Sequence, residues 1–139
     1  MEITDLKDST SRNYNTISPS AKSLLLMKGY TTIPFARQTA ELIVYPEKYE
    51  PDYKKKDLTF WARVVHFETR YWSIDQLLSD LSIRNILELS SGFSFRGFET
   101  ARQKGYHYID SDLPKLIAIK KELVSALKSK ALMKKVPWK

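Results

Sequence analysis

Ile86-Leu87-Glu88-Leu89 is a short, mostly apolar run that ends in Ser90-Ser91-Gly92, and a helical pattern sets in near Phe95. Serine and glycine carry little or no side chain, so such a bend lets backbone approach a ligand closely. The amides at the start of the following helix favour an anionic or polar group there. A second apolar run, Tyr106 to Ile109, closes on Asp110-Ser111-Asp112. An acid at that tip can accept hydrogen bonds from both ribose hydroxyls. The order of strand, small-residue bend, helix and acid-tipped strand is half of a nucleotide-binding α/β unit. A tight corner alone also selects small residues. Ser90 stands where a dinucleotide fingerprint has its first glycine, which counts against a dinucleotide in particular.

The elements that must position these residues follow from periodicity and punctuation. Residues 1–17 are polar and unpatterned and read as a flexible lead-in. Residues 18–82 read as a helical region. Ser18-Pro19 gives a hydroxyl cap with proline at the first helical position, Ala21, Leu24, Leu25 and Lys28 share a face, and Gly29 reads as the C-terminal stop. Pro34 opens a short helix from Phe35 to Val44, and Tyr45 to Lys56, with Pro46 and Pro51, reads as a loop. Asp57 caps a long helix whose predicted stripe is Leu58, Trp61, Ala62, Val65, Thr69, Trp72 and Gln76, rotating to Ile74, Leu77, Leu78 and Leu81 after a bend near Ser73.

Residues 83–130 read as a partial cofactor-binding unit: strand Asn85–Leu89, helix Phe95–Lys104 ended by Gly105, strand Tyr106–Ile109, and a last helix with Leu116, Ile119, Leu123 and Leu127 on one stripe. Residues 131–139 read as a basic tail. The fold class is therefore α/β, with N-terminal helices and then a β-α-β-α portion whose sheet is incomplete. Two parallel strands leave apolar faces and an edge open. That predicts strands supplied by a second copy, as a homodimer or by strand exchange, or a piece of something longer.

A chain of 139 residues, 42% apolar and 28% charged, is large enough for one core and ordinary for a globular domain. No apolar run nears the ~20 residues needed to span a bilayer, and the polar N-terminus lacks signal-peptide order. No membrane association is expected, and the absence of cysteine fits a cytoplasmic address. Two isolated histidines, His66 and His107, argue against a histidine metal site. The net charge of +7 is concentrated in Lys54-Lys55-Lys56 and in the lysine-rich stretch from Lys115 onward, and the rest is slightly acidic. Without aromatic and basic residues interleaved, a solvated helix face is the stronger reading and nucleic acid the weaker one.

Glu88-Leu89-Ser90-Ser91-Gly92 followed by Asp112-Leu113-Pro114 resembles the first two signature motifs of class I S-adenosylmethionine-dependent methyltransferases. More narrowly, the chain resembles the N-terminal half of the leucine carboxyl methyltransferase-like O-methyltransferases. Ser18-Pro19-Ser20-Ala21-Lys22 through Pro34-Phe35-Ala36 is similar to that family's opening helices. Glu68-Thr69-Arg70-Tyr71-Trp72 is similar to its Arg-Thr-Arg-aromatic segment, and Tyr108 to Pro114 to its second-strand signature. The likeness spans Ile17 to Leu127 in the family's order.

The resemblance implies a Rossmann-like methyltransferase fold, S-adenosylmethionine or S-adenosylhomocysteine as cofactor, and a small-molecule or peptide acceptor offering a carboxylate or hydroxyl. It implies that Arg70 holds the methionine carboxylate, a task suited to a guanidinium, with Lys22 reaching the same end. Ser90 and Gly92 would form the close-approach loop and Asp112 would bind ribose, with Asp110 the lesser candidate and capping of the last helix the competing role for Asp112. Ser90 replaces the family's usual glycine. Methyl transfer depends on positioning donor and acceptor in line, so no catalytic side chain is assigned. The alternative expectation is an inactive, truncated module that self-associates or pairs through its open sheet edge.

Overall fold

Ser18 accepts a hydrogen bond from the Ala21 amide at 3.3 Å and Pro19 fills the first helical position, which starts α1, Pro19–Lys28. The computed structural model describes residues 17–133. α2, Ala36–Val44, follows Phe35, whose left-handed backbone (φ 64°) turns the chain into the helix. Asp57 Oδ1 accepts from the Phe60 amide at 2.7 Å and opens α3, Leu58–Ser79. Then come β1 (Asn85–Leu89), α4 (Arg96–Thr100), β2 (His107–Ser111) and α5 (Pro114–Met133). The two strands pair in parallel, with Ile86 opposite Tyr108, Leu87 opposite Ile109 and Glu88 opposite Asp110. The architecture is α/β with a two-stranded sheet among the described residues.

The core gathers Leu25 of α1, Ile43 of α2, Phe93 and Phe95 of the bend, and Ile119, Leu123 and Leu127 of α5. Each such side chain contributes roughly 1.5–3 kcal/mol when fully buried. Ile17 joins this core at 7% exposure, so the lead-in ends one residue earlier than its sequence suggests. Its remaining residues, and 134–139 of the basic tail, lie outside the described residues. Residues 131–133, expected in the tail, continue α5.

Gly29 ends α1 where the sequence places the stop, and does so in right-handed helical backbone (φ −60°). The Tyr49 ring lies where its Cβ would be, and the Tyr49 hydroxyl donates to the Leu26 carbonyl at 2.7 Å, which pins the 45–56 loop onto α1. The expected stripe of α3 is not its buried face, since Leu58, Val65 and Trp72 are exposed. Of the expected residues Trp61 and Leu78 do turn inward, but beside Val64, Phe67, Glu68, Tyr71 and Asp75, a face where polar groups find partners. Glu68, for example, accepts from the Thr32 amide at 2.8 Å and from its hydroxyl. α4 is also short, ending at Thr100 rather than Lys104.

Gly97 lets α4 lie directly on β2. A Cβ there would meet the Tyr108 ring at 2.7 Å and Asp110 Oδ2 at 3.1 Å. The inner face of the sheet carries Ile86, Glu88, Tyr108 and Asp110, and the outer face carries Leu87, Leu89 and Ile109, all more than half exposed. No described helix is long and apolar enough to cross a membrane.

Candidate functional site

The bend after β1 is held by its own chemistry. Ser90 has φ 52° and Gly92 φ 48°, both left-handed, a region a glycine enters without cost and a serine does not. The Gly92 amide donates to Asp112 Oδ2 at 2.7 Å, and Asp112 Oδ1 takes the Leu113 amide at 2.7 Å. The Ser91 amide donates to the Ser111 carbonyl at 3.0 Å. Asp112 therefore clasps the two strand ends together. It does not cap α5, because Leu113 supplies the carbonyl that accepts from Ile117. Carboxylate oxygens have further lone pairs, so this clasp leaves room for a hydroxyl donor.

A cleft of ≈ 290 Å³ opens beneath the bend, between α1, α3 and the start of α4. Arg70, Ser90 and Gly92 line it together; Lys22 and Asp112 do not. Lys22 stands off the wall on α1, and Lys28, further along the same helix, lines it. Space is open over Gly92, where a Cβ would touch nothing within 4 Å. The volume is at the low end of small-molecule sites, roughly 300–1,000 Å³.

In the wall of the cleft a charge network surrounds buried Arg96, and sequence reasoning missed it. Arg96, 8% exposed, places Nε 2.5 Å from Asp75 Oδ1 and Nη1 3.4 Å from Glu88 Oε1. Glu88 also accepts from the Tyr108 hydroxyl at 2.8 Å and from Ser94 Oγ at 3.2 Å. Lys120 donates to Ser91 Oγ at 3.1 Å and lies 2.9 Å from Asp110 Oδ1, an ion pair by distance and not a directed hydrogen bond. Asp110 is thereby an inward partner of Lys120. Burial alone would lower the Arg96 guanidinium, but Asp75 and Glu88 outweigh it and hold it above its ordinary value. Burial, then the hydrogen bond and charge of Glu88, push the Tyr108 phenol up.

Lys28 Nζ donates to the Phe93 carbonyl at 3.4 Å and lies 5.3 Å from the centre of the Tyr71 ring. Burial lowers its ammonium to about 8; Glu88 opposes that fall, while Lys120, Arg96 and Arg70 add to it. The only sequence signal for these groups is that Glu88 and Asp110 sit at in-register strand positions whose side chains face inward. Comparison with family models, curated proteins and solved structures finds no match to this chain.

Proposed function

We propose that the chain is an S-adenosylmethionine-dependent O-methyltransferase-like protein carrying the N-terminal half of a Rossmann-like cofactor site, with a carboxylate or hydroxyl as acceptor. The supporting observation is that Arg70 of α3 and the Ser90–Gly92 bend line one cleft, although they are distant in sequence. Such a cleft suits the amino-acid end of the cofactor: two cations, Arg70 and Lys28, stand where a carboxylate would enter, and the open space over Gly92 admits close backbone approach. Asp112, which holds the Gly92 amide of the same bend, is the group for the ribose hydroxyls.

When bound, the cofactor supplies a methyl group on a cationic sulfur, which passes to an acceptor oxygen and leaves a neutral thioether. The residues of this chain bind, orient and exclude water. The test is isothermal titration of S-adenosylhomocysteine. Arg70→Ala should weaken binding about tenfold, near 1.4 kcal/mol, and Lys22→Ala should leave it unchanged. Equal losses in both, or none from Arg70→Ala, would mean that the site is misplaced.

A second reading is favoured by the outer sheet face, where Leu87, Leu89 and Ile109 are 60%, 71% and 62% exposed. A non-catalytic module that self-associates would cover that face with a second copy. Light scattering that reports a monomer across the micromolar range eliminates it.

A further inference from the structure

Among the described residues, β1 and β2 pair with each other alone, so each strand has one free edge. A free edge presents a row of unpaired amides and carbonyls, and its surroundings decide whether another chain can dock there. α5, tied to β2 by the Lys120–Asp110 ion pair, turns Lys115, Lys121, Glu122 and Ser125 to solvent. Charged side chains near an edge discourage pairing. α3, the helix beside β1, does the opposite: Ile74, Leu77 and Leu81 are 41%, 65% and 51% exposed.

The place of α3 follows from its neighbours. Tyr71 and Ile74 line one cleft with Glu88, and Leu78 and Ser79 line the next one with Ile86, so α3 runs antiparallel to β1 along its inner face. Asp75 reaches Arg96 of α4, the helix that lies on β2. At 3.6 residues per turn, Ile74, Leu77 and Leu81 leave α3 at least about 100° round from Asp75. They therefore point away from α4, toward the free edge of β1. Ile83 ahead of the strand, 40% exposed, and Leu87 and Leu89 on its outer face continue this apolar border.

We propose that β1 pairs antiparallel with β1 of a second copy across a two-fold axis at Leu87, giving a four-stranded sheet ordered β2-β1-β1-β2 with the two α3 helices side by side on its inner face. The proposal rests on the self-association reading and gives it a specific edge and register. An axis at Leu87 sets Leu87 opposite its own copy and Asn85 opposite Leu89, so the leucines form one row on the outer face while Ile86 and Glu88 stay inside. The area suffices. A fully exposed aliphatic side chain presents on the order of 100 Å², so Ile74, Leu77, Leu81, Ile83, Leu87 and Leu89 together offer roughly 330 Å² of apolar surface. Interfaces are about 60% apolar, which makes this border roughly 550 Å² per partner and clears the ~1,000 Å² total of the smallest specific interfaces. A dimer that dissociates in the micromolar range is expected.

The chain has no cysteine, so a single introduced thiol reports the axis directly. Leu87→Cys sets a thiol opposite its own copy, where cross-strand Cβ atoms lie about 4.5–5.5 Å apart, and mild oxidation should give a disulfide-linked dimer on a denaturing gel. Ile109→Cys is on the same outer face, but three strand spacings, about 14 Å, would separate it from its copy. It should crosslink at least tenfold more slowly. Leu77→Asp should raise the dimer dissociation constant, read by light scattering, at least tenfold, with the melting temperature of dilute protein unchanged. All three residues are more than half exposed, so these changes leave the core intact. If the wild-type chain is dimeric but Leu87→Cys does not crosslink, or Ile109→Cys crosslinks as fast, or Leu77→Asp dimerises as tightly as the wild type, the edge geometry is overturned and self-association stands. A wild-type chain that stays monomeric across the micromolar range overturns both.

Discussion

Replacing Arg96 by Met tests whether the charge network in the wall of the cleft holds the fold. The side chain is 8% exposed, touches Asp75 and Glu88, and stacks its guanidinium 4.5 Å from the Tyr71 ring. Breaking one partner of a buried pair typically costs about 3–5 kcal/mol, because the other charge stays buried without compensation. Glu88 is 20% exposed and would keep its bonds from Tyr108 and Ser94, and Asp75 is 45% exposed and would rehydrate. The loss therefore belongs at the low end, about 3 kcal/mol.

With a urea m-value of roughly 2 kcal/mol/M, the unfolding midpoint should fall by about 1.5 M. Glu88→Gln in the same chain neutralises the stranded carboxylate, so the double variant should recover about 1 kcal/mol relative to the sum of the single changes. Urea unfolding followed by tryptophan fluorescence reads both numbers. A loss below about 1 kcal/mol for Arg96→Met, or strict additivity with Glu88→Gln, would refute the claim that buried Arg96 is coupled to these carboxylates.

Three further outcomes follow from named contacts. Gly97→Ala forces a Cβ to within 2.7 Å of the Tyr108 ring and should cost about 1–3 kcal/mol in urea unfolding. Ser90→Gly should raise the melting temperature by a few degrees, since relief of a left-handed backbone worth about 1–2 kcal/mol exceeds the added chain entropy of roughly 0.5–1 kcal/mol. The fold binds fewer protons than the unfolded chain between about pH 8 and pH 10, because burial lowers Lys28, so stability should rise across that window by on the order of 2 kcal/mol. Above pH 10 it should fall, because Tyr49, Tyr71 and Tyr108 are raised and keep protons that the unfolded chain has lost. Lys28→Met should abolish the rise and keep the fall.

Local signals were legible where a single residue decides the backbone. Ser18, Pro19 and Asp57 start helices as their types demand, and Asn85–Leu89 and the last helix follow their apolar patterns. α3 was misread because its apolar residues outnumber its polar ones on the wrong face. Glu68, Tyr71 and Asp75 turn inward because Thr32 and Arg96 meet them there, partners that periodicity does not see. The same holds for Lys120, which falls in a stretch that reads as a solvated helix face until the strand register brings Asp110 inward, and for Arg96, whose partner Glu88 reaches the inner face by the same register. Arg70, Ser90 and Gly92 could be grouped from motif order. Lys22 and Lys28 lie on one helix, and only the contacts of Lys28 with Phe93 and Tyr71 show that it is the one lining the cleft. Asp112 joined the bend, but as its clasp.

Backbone amide NMR during titration with S-adenosylhomocysteine tests the central claim most directly, because it reports where a ligand lies as well as whether it binds. Saturable shifts at Ser90 to Ser94, at Lys28 and around Arg70, with the outer strand residues Leu87 and Ile109 unmoved, are the predicted result. Shifts confined to the outer sheet face, or none at millimolar ligand, would contradict it.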